Sequence, residues 1–300
     1  MHPWSLSNPW LRLLLRLPLA LAMITSGILR TIPVQMPPLQ GFDLVRRLGE
    51  HTQGELLWTF VGASPVFQSF TGLAALFGGV LLLFPRTALA GALISAANLA
   101  MAITLSVTYD LPFKLYLSCL FALALLLIAP DLRRLADLIL LGRAVEPVPE
   151  PPAGRPERIV LLVGLLAIAV SVAVAAARYR QLHPPEPPLY GVWTVEELTV
   201  DGEKSTDPRR WRWAVFQDPG ALDVELWIGA RKRYPLELDM ERKTMRLGRQ
   251  GELSFAEPEP YALVLDGRLD GRRVHAKLSR IGLQTPWFHW IVEPEWTLYD

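Results

Sequence analysis

LLWTFVGASPVFQSFTGLAALFGGVLLLF, residues 56–84, is the stretch on which the fold turns. It is longer than the roughly 20 helical residues that cross a bilayer's hydrocarbon core. Ala63-Ser64-Pro65 interrupts it, and a second apolar piece begins near Phe67. The stretch reads as a short interfacial or re-entrant helix leading into a transmembrane helix. Irregular backbone at membrane depth survives only where protein or water satisfies its hydrogen bonds, so Ser64, Pro65 and Gln68 are expected to face a protein-lined cavity.

Working outward, Arg12 and Arg16 precede LPLALAMITSGIL in the manner of a signal peptide. Further apolar runs follow instead of a soluble chain, so Leu11 to Leu29 is read as a first span. In the connection from Arg30 to Glu55, Phe42, Val45 and Leu48 fall at helical spacing against Asp43, Arg46 and Arg47, which predicts a short helix on the membrane surface. After Pro85-Arg86, Ala88 to Val107 is rich in small residues (Ala88, Gly91, Ser95, Ala96) that permit close helix approach, and Asn98 is placed to hydrogen-bond across helices. Leu115 to Ala129 forms the next span. DLRRLADLILL then reads as an amphipathic surface helix, with Arg133 and Arg134 at headgroup level.

The expected domains are a four-helix membrane domain over 1–144, a proline-rich linker over 145–158, a fifth span over 159–177, a second linker over 178–188 and a soluble β domain over 189–300. In the last, GVWTVEELTV, WRWAVF, LDVELWI, YPLELDM, TMRLG, YALVLDG, RVHAKLSRI and WFHWIVE are β-rich, and Asp201-Gly202, Asp266-Gly267 and Asp270-Gly271 are predicted hairpin turns. The fold class is therefore a membrane α-helical bundle followed by an antiparallel β-barrel or sandwich.

Composition is 51% hydrophobic with a net charge of +1, so no basic field recruits nucleic acid. The single cysteine, Cys119, excludes a dithiol relay within the chain, and the scattered histidines give no metal-ligand spacing. With the N-terminus cytoplasmic, the inside segments carry Arg12, Arg16, Arg86, Arg133, Arg134, Arg143, Arg155 and Arg158. The outside segments carry Arg30, Arg46, Arg47, Lys114, Arg178 and Arg180. This bias places the β domain outside the cell membrane. In either orientation, the Arg30–Glu55 connection, the Ser64 break, the turn at Tyr109 and the β domain share one side.

On that side, Ser64, Gln68, Tyr109, Asp110 and Lys114 are polar groups at the edge of an apolar bundle and are the candidate ligand-binding residues. Trp58, Phe60, Phe67 and Phe70 would supply apolar walls. Two readings stand side by side. Asp110 before Pro112 suits an N-cap for the fourth span, with Lys114 pairing to it, and Pro65 suits a helix start. His51 and Glu55, one turn apart, are either a proton-shuttling or a solvated pair. The domain's tryptophans Trp211, Trp213, Trp227, Trp287, Trp290 and Trp296 serve as core or interface anchors, and Arg209, Arg210 and Arg212 alternate around them. No nucleophile–base pair or phosphate loop is visible in the sequence, so no catalytic residue is named.

FVGASPVFQSFTG, LLLFPRTALAGALIS and YDLPFK resemble the DoxX-like membrane proteins of bacteria, in a subgroup with an extra C-terminal span and β domain. The resemblance covers roughly Leu11 to Leu141, with GVWTV (Gly191 to Val195) and FHWIVE (Phe288 to Glu293) in the soluble domain. Gly191-x-Trp193 is also similar to the opening strand of lipocalin-type barrels. After FHWI the chain reads VEPEWTLYD, where the subgroup closes on an Asn-Glu-x-Pro-Phe-Asn-like run. The resemblance implies an inner-membrane accessory subunit of a redox system with redox partner subunits alongside, and the broken helix with its polar cluster points to a quinone or lipid at the outer face, its polar head on Ser64 and Gln68. The rival expectation is a non-catalytic sensor whose barrel captures an apolar ligand or a protein partner.

Overall fold

A computed structural model describes residues 9–36, 41–144, 155–182, 186–259 and 261–281. The expected tryptophans Trp287, Trp290 and Trp296, the FHWIVE segment, residues 145–154 of the first proline linker and residues 183–185 of the second lie outside these residues. The chain divides into a helical unit and a β unit.

The helical unit is built from α1 (Pro9–Thr31), α2 (Gln53–Gly62), α3 (Pro65–Leu81), α4 (Ala88–Thr108), α5 (Lys114–Ile128), α6 (Leu132–Ile139) and α7 (Arg155–Leu182). Four helices are long and apolar enough to cross a membrane, or five if the bent pair α2–α3 counts as one span. Helix α1 packs on α3, α3 on α4, α4 on α5 and α5 back on α1, so four helices close into a bundle, while α7 packs against α1. On α1 the buried positions Arg16, Leu19, Ala20, Met23, Ile24, Gly27 and Ile28 recur at the three-and-four spacing of one helix face. Its partner face on α3 is Gln68, Gly72, Ala75 and Gly79.

Glycine sets how closely these faces meet. A Cβ at Gly27 would lie 2.5 Å from the Leu76 nitrogen, and one at Gly72 would lie 2.4 Å from the Thr31 nitrogen. Small residues permit such backbone approach, which gains dispersion contacts across the seam. As the small-residue pattern led one to expect, Asn98 Nδ2 of α4 donates to the Thr71 carbonyl of α3 at 3.4 Å. Arg16, 4% exposed, donates through Nη2 to Glu157 of α7 at 2.6 Å and to the Leu83 carbonyl at 3.2 Å. One cation thus joins α1, α7 and the end of α3.

The break at Ser64 has a local cause. Thr52 and Glu55 form a reciprocal capping box that starts α2. Ser64 caps α3 by accepting from the Phe67 N–H at 3.3 Å, and Pro65 opens that helix where a missing N–H costs nothing. The two helices meet at 93°. The capping box engages the Glu55 carboxylate with the Thr52 N–H. The Thr52-x-x-Glu55 motif was available to predict it.

The β unit is a closed eight-stranded antiparallel barrel. Its strands are β1 (Gly191–Val200), β3 (Trp211–Phe216), β4 (Ala221–Leu226), β5 (Arg231–Asp239), β6 (Thr244–Leu247), β7 (Gly251–Ala256), β8 (Ala262–Leu269) and β9 (Arg272–Arg280). The two-residue β2 (Glu203–Lys204) extends one end of β1. Each strand pairs with its sequence neighbour, and β1 closes the ring by pairing with β9 through Trp193↔Arg280 to Val200↔Val274. Closure leaves no edge to pair elsewhere. Alternate residues point inward, and Phe216, Leu222, Met245, Leu247, Leu253, Leu263 and Leu265 are fully buried there. Eight strands give an interior that side chains of this size fill.

Two sequence expectations need correction here. Asp266-Gly267 is not a turn: both residues lie within β8, where Gly267 pairs with Leu253 and Val274. Its neighbour Asp270-Gly271 makes the turn, with both residues at positive φ as a type I′ hairpin requires. Two such dipeptides four residues apart cannot both reverse the chain, and the longer strand wins. Strand β7 was missed in the sequence because GELSFA mixes Glu and Ser into an outward face.

Phe42 to Leu48 do not form the expected amphipathic helix. Gly41–Leu44 is a single 3₁₀ turn that belongs to the β unit and packs on β1 and β3. Phe42 lies under the Arg231 guanidinium at 4.5 Å, a cation–π contact. Gly41 adopts φ +56, a left-handed backbone that favours glycine.

Candidate functional site

The helical unit holds a cavity of about 290 Å³. Its position follows from which ends of the helices meet. The last turns of α1 contribute Met23, Ser26 and Arg30; the first turns of α3 contribute Phe67 and Thr71. The C-terminal half of α4 brings Asn98, Leu99 and Leu105, and α5 brings Tyr116, Leu117 and Leu120. Leu57, Trp58 and Val61 of α2 complete the wall. The 93° bend is what turns α2 across this end of the bundle: with Met36, Leu111 and Tyr109 it forms a small separate apolar cluster. Met101, Phe113 and Tyr116, about half-exposed, also line the cavity, which therefore reaches the surface of the unit.

The walls are mostly apolar, with a few convergent polar groups, the usual make-up of a small-molecule site. Ser26, Thr71, Asn98 and Gln35 carry hydrogen-bonding groups, and Arg30 is the charged member. Arg30 Nε donates to the Ser26 carbonyl at 3.2 Å.

None of the five residues picked from the sequence lines this cavity, although all lie around it. Ser64 is occupied as the cap of α3. Gln68 is fully buried; its Nε2 donates to the Met36 carbonyl at 2.7 Å, and Met36 is itself part of the wall. Gln68 therefore reaches the cavity only through the main chain of Met36 and does not face it as the sequence led one to expect. Tyr109 packs in the cluster of Leu57, Val61 and Leu111. Asp110 and Lys114 form an exposed ion pair one turn apart, and the ammonium's hydrogen bond holds the Asp110 carboxyl below its ordinary range.

Asp110 is not the N-cap of α5; Phe113 occupies that place. Asp110 ends α4 instead. It sits at φ +51, and the Leu111 N–H folds back to the Ser106 carbonyl at 2.9 Å, a Schellman-type closure with aspartate where glycine is commonest. The closure aims Leu111 into the cluster and leads directly to Phe113 on the cavity wall. Of the expected apolar walls, Trp58 and Phe67 line the cavity, whereas Phe60 and Phe70 are more than two-thirds exposed and face outward.

Sequence reading missed Arg30, Thr71 and Asn98 as site residues. Arg30 looked like a flanking positive charge at the end of a span, and the helix-to-helix role found for Asn98 hid its place on the wall. The available signal was that α1, α3 and α4 each carry a polar residue on the face that elsewhere is small or aliphatic.

Fold and site together define an apolar helical bundle with a polar-headed cavity, followed in the chain by an up-and-down barrel. No protein-family model matches this chain, and comparison with curated proteins and with solved structures finds no significant similarity.

Proposed function

We propose that this chain is a membrane-embedded accessory subunit of a redox system that binds a quinone or lipid in the cavity of its helical bundle. The observation that carries the reading is the cavity itself: an apolar chamber beside a broken helix, with Arg30, Asn98 and Thr71 on its walls. The redox context comes from the resemblance of the first four apolar segments to DoxX-like proteins, as does the bacterial inner membrane as location. The positive-inside bias supports a cytoplasmic N-terminus and a barrel on the outer side. Gln68, Tyr109 and the Asp110–Lys114 turn then shape the chamber, holding Met36, Leu111 and Phe113 in place.

The packed barrel interior supports this reading over ligand capture inside the barrel, since a captured ligand needs volume that Met245, Leu247, Leu263 and Leu265 occupy.

The test is mass spectrometry of what copurifies with the full chain in mild detergent, alongside the variant Leu99→Trp. A near-stoichiometric quinone or lipid on the native chain, absent from the variant, is the expected result. Equal recovery from both, or recovery of nothing from either, would remove the cavity as the binding site.

A further inference from the structure

Arg30 stands out among the cavity residues. Among the described residues, no aspartate, glutamate, lysine or histidine joins it on the wall. Arg30 Nε donates to a neutral main-chain carbonyl, and among the described residues no carboxylate pairs with the guanidinium. The contrast with Arg16 in the same helix is direct, because Arg16 meets Glu157 at 2.6 Å. A guanidinium drawn away from water keeps its charge, so it calls for an anion. A cation near a helix C-terminus also interacts with the helix dipole, but that role gives the Nη groups no partner among the described residues.

We infer that the cavity takes a single-chain amphiphile whose head is an anionic oxygen group, a carboxylate or a phosphate, held by Arg30. The inference rests on the proposed function and narrows its ligand class, favouring a charged lipid over a neutral quinone. Guanidinium offers paired N–H donors in a planar fork that matches either head. Asn98 and Thr71 supply neutral polar neighbours, and Leu99, Leu105, Leu117 and Leu120 surround the chain. About 290 Å³ lies at the small end of ligand cavities, which suits one alkyl chain rather than two.

The experiment measures binding of oleate, oleyl phosphate and oleyl alcohol to the full chain in nanodiscs at neutral pH, with native, Arg30→Gln, Arg30→Lys and Ala102→Trp proteins. The native chain is expected to prefer one or both anions to the alcohol by about tenfold, the effect of a charge-assisted hydrogen bond. The anion preferred tells carboxylate from phosphate. Arg30→Gln should bring the anions down to the level that the alcohol shows in the same variant, and Arg30→Lys should keep part of the preference. Equal binding of all three probes to the native chain overturns the inference, as does a preference that survives in Arg30→Gln. A poorly folding Arg30→Gln leaves the native comparison and Arg30→Lys to decide. Ala102→Trp separates the two levels: all three probes binding it as they bind native protein overturns the cavity reading itself. Alcohol binding lost there, with no anion preference in native protein, overturns only the claim about the head.

Discussion

Replacing Gly72 with leucine is expected to collapse the α1–α3 seam and abolish a monodisperse, cooperatively unfolding protein in detergent. The reason is geometric: the first added carbon already falls 2.4 Å from the Thr31 backbone nitrogen, and a main-chain atom cannot rotate away. The helices must separate along their length, which also loosens the neighbouring contacts of Gly27 with Leu76 and of Gly79 with Ile24. Overpacking in a well-packed core typically costs about 1–3 kcal/mol. Here the obstruction is backbone on both sides, so the effect should exceed the upper end of that range. Gly49→Ala is the control, since nothing lies within 4 Å of a Cβ there and the change should stay within about 0.5 kcal/mol. Thermal unfolding followed by size-exclusion chromatography reads both. A Gly72→Leu protein as stable as the control would mean that α1 and α3 are not in this contact.

Glu157→Leu should destabilise the helical unit by about 3 kcal/mol, because it strands a cation among buried groups. Arg16 is 5% exposed at its side chain and Glu157 is 20% exposed, so the carboxylate keeps some water while the guanidinium has almost none. That asymmetry puts the expected cost at the lower end of the range for breaking a buried pair. The double variant Arg16→Met with Glu157→Leu removes both charges and should recover most of the loss, since well-packed apolar replacements of buried pairs are often neutral. The comparison is made by denaturation midpoints in the same detergent, with added salt as a second axis: a buried pair is screened less than an exposed one. A single variant that costs nothing, or a double variant no better than the single, would show that the pair is not a buried unit.

Much of the architecture was legible because hydrophobic periodicity is a local signal. Spans of about twenty apolar residues and alternating strands declare themselves without reference to the rest of the chain, and so did the break at Ser64-Pro65. The failures were of two kinds. Asp110 precedes a proline and a helix, which is the signature of a cap, yet the end of α4 claims it first; competition between two adjacent helix ends is settled by the Leu111 contact, a tertiary fact. Phe42, Val45 and Leu48 have helical spacing, yet the β unit offers Phe42 an arginine face more than 180 positions away in the chain. The site was half legible for the same reason. The bend, Trp58 and Phe67 were visible in one stretch of sequence, while Arg30 stands out because no acidic residue joins it among the described walls, which only the assembled fold reveals.

The turn at Gly41–Leu44 also has an arithmetic consequence for the membrane path. It is threaded between α1 and α2, yet it is part of the same folded body as the barrel. A single folded body stays on one face of a bilayer, so the chain leaving that turn and the chain entering β1 are on the same face. Any path that starts and finishes on one face crosses an even number of times. If α4, α5 and α7 each cross, as their length and apolar composition allow, they supply three crossings, and the parity then requires the bent pair α2–α3 to be the fourth, a broken crossing rather than a loop that dips and returns. Cysteines placed by Gly49→Cys and Gly142→Cys, in a chain with Cys119 replaced by serine, are expected to label from opposite faces of sealed vesicles. Labelling from the same face would break the parity, and with it the pairing of the barrel with the α1–α2 connection.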